Sequence, residues 1–154
     1  MESPTFTAAV FYRDPKAALD WLSRAFGFEL TMAIEGTDDD PTGCHYEMSV
    51  GGRGRVMIGA EWHDQTRSPA SVGGANTQNC HVELPGGLDT HCDAARAAGA
   101  VIAAEPAEQF YGDRTYRAID PEGHMWTFSE HVRDVSRAEA EAAIGAPIHA
   151  TNWA

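Results

Sequence analysis

The sequence predicts an α+β fold made of two similar β-α-β-β-β modules. The first observation behind this prediction is that strand-like and helix-like segments follow one another in the same order in both halves of the 154-residue chain. The second is that each half contains one short amphipathic helix that ends at a glycine, Gly27 in the first and Gly99 in the second. Such a repeat indicates that one module alone cannot bury its sheet face.

Length and composition are typical of a single-domain globular protein, so residues 1–154 are assigned to one domain. The hydrophobic fraction of 43% and only 8 prolines distinguish the chain from disordered proteins. The N-terminal segment lacks the basic start and long apolar stretch of a signal peptide, and no apolar run is long enough to span a membrane. We therefore expect a cytoplasmic protein that has no membrane partner.

The chain carries a net charge of −12. A surface this acidic repels phosphate backbones, so nucleic acid is not expected as a partner. Solubility explains most of the acidic excess, although the same charge favours a cationic ligand. The three cysteines, an odd number without a CxxC motif, predict no disulfide framework: Cys44, Cys80 and Cys92.

The first module is assigned to residues 5–60. Asp14 and Pro15 are a typical helix start, because an N-cap acceptor precedes a proline at the first helical position. The helix runs to Gly27. The predicted strands are 6–12 before the helix and 28–34, 45–50 and 55–60 after it.

Residues 61–78 are predicted to link the modules, since they contain Pro69, Gly73 and Gly74. The second module, 79–132, begins with a strand at 79–84, a helix at 88–98 and a strand at 101–104. A hairpin within 111–131 completes it, with a tight turn at 120–123. Residues 133–154 are assigned to a C-terminal helix, opened by a capping box at Ser136 and Glu139, and a tail.

The hairpin segment DPEGHMWTF, residues 120–128, resembles the last hairpin of the vicinal-oxygen-chelate superfamily, which includes glyoxalases, bleomycin-resistance proteins and extradiol dioxygenases. The resemblance extends over roughly residues 5–132. It implies that the two modules form curled mixed sheets around a shared cavity. It also implies a homodimer, because a partner subunit often completes that cavity.

Metal-binding members of this superfamily use His, Gln or Glu on the first and last strand of each module. The resemblance implies that the equivalent positions are Ala9 or a neighbour, Ile58 or a neighbour, His81 and Thr127. Only His81 is a good ligand, and the neutral hydroxyl of Thr127 is a poor one for Zn²⁺, Fe²⁺ or Mn²⁺. The usual metal site is therefore expected to be missing, and no metal cofactor is predicted.

A relocated metal site is an alternative. His45 and Glu47 lie two positions apart on a predicted strand and share a face, so with His81 they would make a two-histidine, one-carboxylate site for Zn, Fe, Mn or Ni. The favoured interpretation is that His45 and Glu47 are the solvent-facing positions of an alternating strand. The sequence does not fix the register that would decide between these.

The candidate ligand-binding residues are His81, Thr127, Trp62, Tyr111, Arg114 and Met125. His81 is interpreted either as a proton-transferring or hydrogen-bonding group in a cavity or as a satisfied core histidine. Trp62 and Tyr111 have the aromatic body and polar edge typical of organic-ligand pockets. Met125 shares a strand face with Thr127, and Arg114 would contact an anion or pair locally with Asp113.

Two function classes follow. The favoured one is a metal-free protein similar to the bleomycin-resistance branch, which binds a small organic molecule, and the acidic surface favours a cation. The other is an enzyme of the lyase, isomerase or dioxygenase type. That enzyme would use either the relocated metal site or acid-base chemistry by a catalytic His81.

Overall fold

The computed structural model describes residues 3–154 and contains two four-stranded mixed sheets and three α-helices. Met1 and Glu2, which belong to the N-terminal segment assessed above, lie outside the described residues. The predicted α+β class and the element order of both modules are confirmed. In chain order the elements are β1 (Ala8–Tyr12), α1 (Pro15–Phe26), β2 (Glu29–Ile34), β3 (His45–Val50), β4 (Gly54–Ala60), β5 (Asn79–Leu84), α2 (Leu88–Ala97), β6 (Val101–Glu108), β7 (Asp113–Ile119), β8 (Met125–His131) and α3 (Arg137–Ile144).

Each module forms its own sheet with the same topology. The strand order is β1-β4-β3-β2 in the first sheet and β5-β8-β7-β6 in the second. In both sheets the first strand of the module runs parallel to the last, and the other pairs are antiparallel. The internal repeat is therefore present in hydrogen bonding as well as in element order.

The register corrects one alignment between the modules. The sequence placed Ile58 opposite Thr127, but Ala9 pairs with Met57 in the way that His81 pairs with Thr127. Met57 is therefore the structural equivalent of Thr127. Ile58 is fully buried on the other face of the sheet.

The error comes from the two hairpin turns. In the first module Gly54 is already part of the ladder and pairs with Val50. In the second module Gly123 lies in the turn with a φ of 97°, and the ladder starts two residues later at Met125. The equivalence of Ile58 and Thr127 follows from aligning Gly54 with Gly123, and this alignment therefore displaces the strands by one residue.

Helix α1 begins and ends at the predicted residues. Its last turn packs against the second module. The Asp14 side chain accepts a hydrogen bond from the backbone N–H of Ala17 at 3.0 Å, and Gly27 ends the helix in the left-handed region with a φ of 71°. Phe26, at its last turn, packs against Trp126 and Phe128 of the second sheet, with ring centroids 5.7 and 4.7 Å away. One hydrophobic core thus includes residues of both modules.

The turn of the last hairpin also connects the modules. The Glu122 carboxylate accepts hydrogen bonds from the backbone N–H groups of Arg13 and Asp14, at 2.7 and 3.1 Å, just before α1. It also accepts one from the hydroxyl of Ser68, at 2.6 Å, in the predicted linker. Ser68 is fully buried. The 61–78 segment is therefore held against the second module at this point.

The C-terminal segment adds α3 and folds back on its start. The N-cap half of the predicted capping box is present, since the Ser136 hydroxyl accepts a hydrogen bond from the backbone N–H of Glu139 at 3.2 Å, while the Glu139 carboxylate accepts one from Arg133 at 2.9 Å. Trp153, which the sequence did not place, donates a hydrogen bond from its indole to the carbonyl of Val135 at 2.7 Å. Within residues 3–154, none of the helices has the length and apolar character needed to cross a membrane.

Candidate functional site

The second sheet has one face covered by helices and one face open. Along β8 the side chains of Trp126 and Phe128 are buried in the common core, so Thr127 and Ser129 lie on the opposite side. We call this opposite side the open face. His81, the ladder partner of Thr127 on β5, also lies on the open face.

A polar cluster occupies the centre of the open face. It consists of Asn79 and His81 on β5, Thr127 and Ser129 on β8, and Arg117 on β7. His81 Nε2 lies 2.9 Å from Ser129 Oγ. The side-chain amide of Asn79 lies 2.9 Å from Thr127 Oγ1, and Arg117 Nε donates to the same oxygen at 3.4 Å. The cluster spans three adjacent strands because Arg117, Thr127 and His81 are neighbours in the ladder.

A cavity of about 280 Å³ lies over this cluster. The rest of the lining comes from β6, from β7 and from the loop between them, and includes Gln109, Tyr111 and Thr115. Burial, followed by the charge of Asp113, raises the pKa of Tyr111, and the charge of Arg117 acts in the opposite direction. The Tyr111 hydroxyl is therefore a hydrogen-bond donor at neutral pH. The size and lining of the cavity suit one small organic molecule.

A larger cleft of about 850 Å³ adjoins the cavity. It is lined from the first module by Ala8 of β1 and by residues within 50–56 around the β3–β4 turn, and from the second module by the whole of β5. Arg53 and Arg55 line it from the first module, and Asn79 and His81 line both spaces. His81 is therefore placed where the two spaces meet.

Comparisons with known proteins agree with this architecture. The sequence model of the Glyoxalase/Bleomycin resistance protein/Dioxygenase superfamily matches residues 6–128, which is most of the chain. The protein belongs to this superfamily. An uncharacterised protein of Mycobacterium bovis is 30% identical over 145 residues, which are 92% of each chain.

Solved structures with a similar fold include TioX and a member of the superfamily. TioX from Micromonospora sp. ML1 is 31% identical, with a TM-score of 0.66, and the alignment covers 84% of this chain and 100% of TioX. A superfamily member from Sphaerobacter thermophilus is 19% identical with a TM-score of 0.63, and the alignment covers 84% of this chain and 98% of the other. The second likeness concerns the fold alone.

The four superfamily metal positions do not hold a metal-binding set in this chain. With the register corrected, they are Ala9, Met57, His81 and Thr127. Alanine offers no ligand atom, and the Met57 thioether is a soft, neutral donor. The Thr127 hydroxyl is already hydrogen-bonded to Asn79 and Arg117. Only His81 suits a divalent metal, so these residues do not fit the superfamily's metal ion.

The alternative metal set is not assembled either. His45 and Glu47 do share a face of the first sheet, with Nε2 and Oε1 3.6 Å apart, but Glu47 also accepts a hydrogen bond from Arg55 at 3.2 Å. His81 belongs to the other sheet. Within residues 3–154, no group of three or more His, Cys, Asp or Glu side chains is arranged to hold a metal. The structure therefore does not bring His45, Glu47 and His81 together.

The other predicted residues divide between the cavity and the surface. His81, Thr127 and Tyr111 line the cavity, and Met125 lies on the open face as the ladder partner of Asn79 without lining it. Trp62 is 61% exposed in the 61–78 segment and lines neither space.

Arg114 is also away from the cavity. Its ladder position alternates with that of Arg117, so its side chain lies on the helix-covered face. There Nε and Nη2 donate to the carboxylate of Asp89 on α2, at 3.0 and 2.9 Å. The expected anion contact or local pair with Asp113 is replaced by this ion pair.

Sequence reasoning missed Asn79, Arg117 and Ser129. The signal for Ser129 was available, because it follows Thr127 at the two-residue spacing of a strand face. Arg117 required the hairpin register, which places it opposite Thr127. Asn79 required the parallel pairing of β5 with β8, which no local pattern specifies.

Proposed function

We propose that this protein binds a small organic molecule in the cavity on the open face of the second sheet, without a divalent metal. The observation that carries this proposal is the hydrogen bonding of Thr127, which stands at one of the four positions where metal-binding members of the superfamily have His, Gln or Glu. Its neutral hydroxyl is engaged by Asn79 and Arg117. A chain that bound its ligand through a metal would need an ionised or imidazole ligand here.

We further propose that the protein is a homodimer whose second subunit covers the open face of the second sheet. Apolar side chains remain exposed on the first sheet and near β1, with Ile34 at 53% and Phe6 at 84%. Exposed apolar groups of this size favour association with another surface. The charge of −12 argues against a nucleic acid or an anionic membrane as that surface, and a cytoplasmic location suits the three free cysteines.

A second candidate function is proton transfer by His81. The observation in its favour is that the imidazole lines the cavity while its Nε2 is fixed by Ser129 Oγ at 2.9 Å. An imidazole held in this way is a suitable acid or base for a metal-free lyase or isomerase.

The test of the proposed function begins with the metal content of protein purified without chelators or metal-affinity resin. We expect far less than one equivalent of zinc, iron, manganese or nickel per chain. About one equivalent that disappears in His81→Ala would contradict the proposal. If the protein is metal-free, His81→Ala should fold normally and keep most of its affinity for small organic ligands, whereas loss of an assayed turnover would favour the second candidate.

A further inference from the structure

Arg117 presents a positive charge to the cavity without a carboxylate partner. Arg114, three residues earlier on the same strand, is paired with Asp89. Arg117 makes no ion pair among residues 3–154, and its hydrogen bond is to the neutral hydroxyl of Thr127 through Nε. Among the described residues that line the cavity, Arg117 is the one arginine or lysine.

The carboxylates near the cavity are already occupied. Glu105 lines the cavity, but both of its oxygens accept hydrogen bonds from Arg96, at 3.0 and 2.6 Å. Asp113 lies at 3.1 Å from the ring of His131. Glu83 is on the same strand as His81 but lines the larger cleft and not this cavity. The positive charge of Arg117 is therefore not compensated within the cavity.

Apart from Glu105, the remaining polar side chains of the lining can donate hydrogen bonds. The amide of Asn79, the imidazole of His81 and the hydroxyl of Tyr111 all border the cavity. Donors gathered around an arginine make a site that suits an acceptor-only, negatively charged group.

The contact with Thr127 also leaves the outer nitrogens of the Arg117 guanidinium available to a ligand. The Thr127 hydroxyl accepts from Nε, so the Nη1 and Nη2 groups of Arg117 remain for a ligand. Two parallel N–H groups on a planar guanidinium match the two oxygens of a carboxylate. The size of about 280 Å³ limits the rest of the ligand to a small organic skeleton.

The overall charge of −12 favours cations in the surrounding solvent, yet it does not decide what binds next to Arg117. Salt screens charges beyond about 8 Å at physiological ionic strength. Arg117 is exposed, but a carboxylate in contact with it lies within this distance and is therefore less screened than charges beyond it. The local positive charge therefore outweighs the distant acidic surface.

We infer that the ligand of this cavity is a small organic carboxylic acid, bound as the carboxylate by the Nη1 and Nη2 groups of Arg117. The inference rests on the proposed binding function and specifies its ligand class. The hydrocarbon part of the acid would lie against Ala104, Ala107 and the ring of Tyr111, which line the same cavity.

The experiment compares matched probes by isothermal titration calorimetry. The probes are benzoate and 2-naphthoate, the corresponding neutral amides and the corresponding amidinium cations. With the wild-type protein, we expect each acid to bind about ten-fold or more tightly than its amide, which corresponds to one charge-assisted hydrogen-bond pair. Arg117→Met should abolish this preference, and Arg117→Lys should retain part of it, because lysine keeps the charge but not the planar fork.

Arg114→Met is the matched control, since it removes an arginine from the other face of the same strand and should keep the full preference. Circular dichroism of each variant verifies the fold. Equal or tighter binding of amides or amidinium ions, or a preference for acids that survives Arg117→Met, overturns the inference and leaves the binding function intact. Failure of every probe to bind at millimolar concentration overturns both.

Discussion

The hydroxyl of Tyr12, at the end of the first strand, donates a hydrogen bond of 2.6 Å to the carboxylate of Asp120, 108 residues further along the chain. Both side chains are buried, with 2% and 4% exposure. The same carboxylate oxygen accepts the indole N–H of Trp126 at 3.1 Å. Burial and the charge of Asp120 both raise the pKa of Tyr12, so the phenol stays protonated and remains the donor. One buried contact thus ties the two modules together.

Tyr12→Phe should destabilise the protein by about 2 kcal/mol, because it removes a donor from a buried carboxylate. Urea denaturation followed by circular dichroism measures this loss. Tyr46→Phe is the matched control, since Tyr46 is equally buried but its hydroxyl meets Glu35, whose side chain is 58% exposed. Water can replace the lost hydroxyl there, so we expect a loss below about 1 kcal/mol. Equal losses in the two variants would show that the Tyr12–Asp120 contact has no special role.

Gly123→Ala should be more destabilising than Gly52→Ala. Both glycines have positive φ angles, 97° and 76°, so each substitution strains the backbone by about 1 kcal/mol or more. A Cβ at Gly123 would also lie 2.9 Å from Cβ of Pro69, whereas a Cβ at Gly52 has open space. The expected difference is about 1–3 kcal/mol, the typical result of overpacking, and thermal unfolding measures it. Identical losses would mean that the 61–78 segment moves aside freely.

His91 should make the protein less stable at mildly acidic pH. Its Nε2 donates to the carbonyl of Phe26 at 3.0 Å and its Nδ1 accepts from the hydroxyl of Tyr116 at 2.6 Å, which connects α2 with α1 and β7. Burial lowers the pKa of His91 below the model-peptide value of 6.5. The unfolded chain then binds this proton more readily than the folded one, so stability falls as pH drops below about 6.5.

The control for this pH dependence is His131. Its contacts with Asp113 and Asp134 raise its pKa, so it contributes stability at low pH that is lost as pH rises through the folded value. His91→Gln should therefore flatten the loss of stability between neutral and acidic pH, and His131→Gln should steepen it. Denaturation curves at constant ionic strength and several pH values measure both slopes. A steeper loss of stability at acidic pH in His91→Gln, or a flatter one in His131→Gln, would contradict the proposed role of His91 in the pH dependence.

Thr127→Val should weaken the preference for acids over amides a few-fold while the fold and the arginine remain. The valine is nearly the same size, but it no longer accepts from Arg117 Nε, so the guanidinium is less well oriented. Thr31→Val, on the first sheet, is the matched control and should leave the preference unchanged. The measurement is the ratio of acid to amide affinities. A ratio in Thr127→Val equal to that of wild type would exclude a positioning role for Thr127.

Local signals in the sequence were sufficient for most elements of the fold. Asp14 and Gly27 specify the ends of α1 through their own hydrogen bonding and backbone conformation, which depend on few distant contacts. Strand β6 was less predictable. It was expected to end at Ala104, but it continues to Glu108 through Pro106, with shifts of register along the way. Proline within a strand suggests an end, whereas an edge strand tolerates it.

The site was only partly predictable. The resemblance placed His81 and Thr127 on the correct strands. His81 lies on the first strand of the second module and Thr127 on the last strand of its final hairpin. It did not separate Arg114 from Arg117, which lie on opposite faces of β7. That distinction depends on a register set by long-range pairing, and a shift of one residue reverses every face.

The contact between Tyr12 and Asp120 also distinguishes the two modules of the structural repeat. By the observed register, the position of Tyr12 in the second module is Leu84, which has no hydroxyl. The first module's turn, at 51–54, contains glycines and Arg53 but no acid. A chain of two first modules would lack the carboxylate, and a chain of two second modules would place a leucine against it. Two copies of either half would therefore lack the buried hydrogen bond that joins the two modules in this chain.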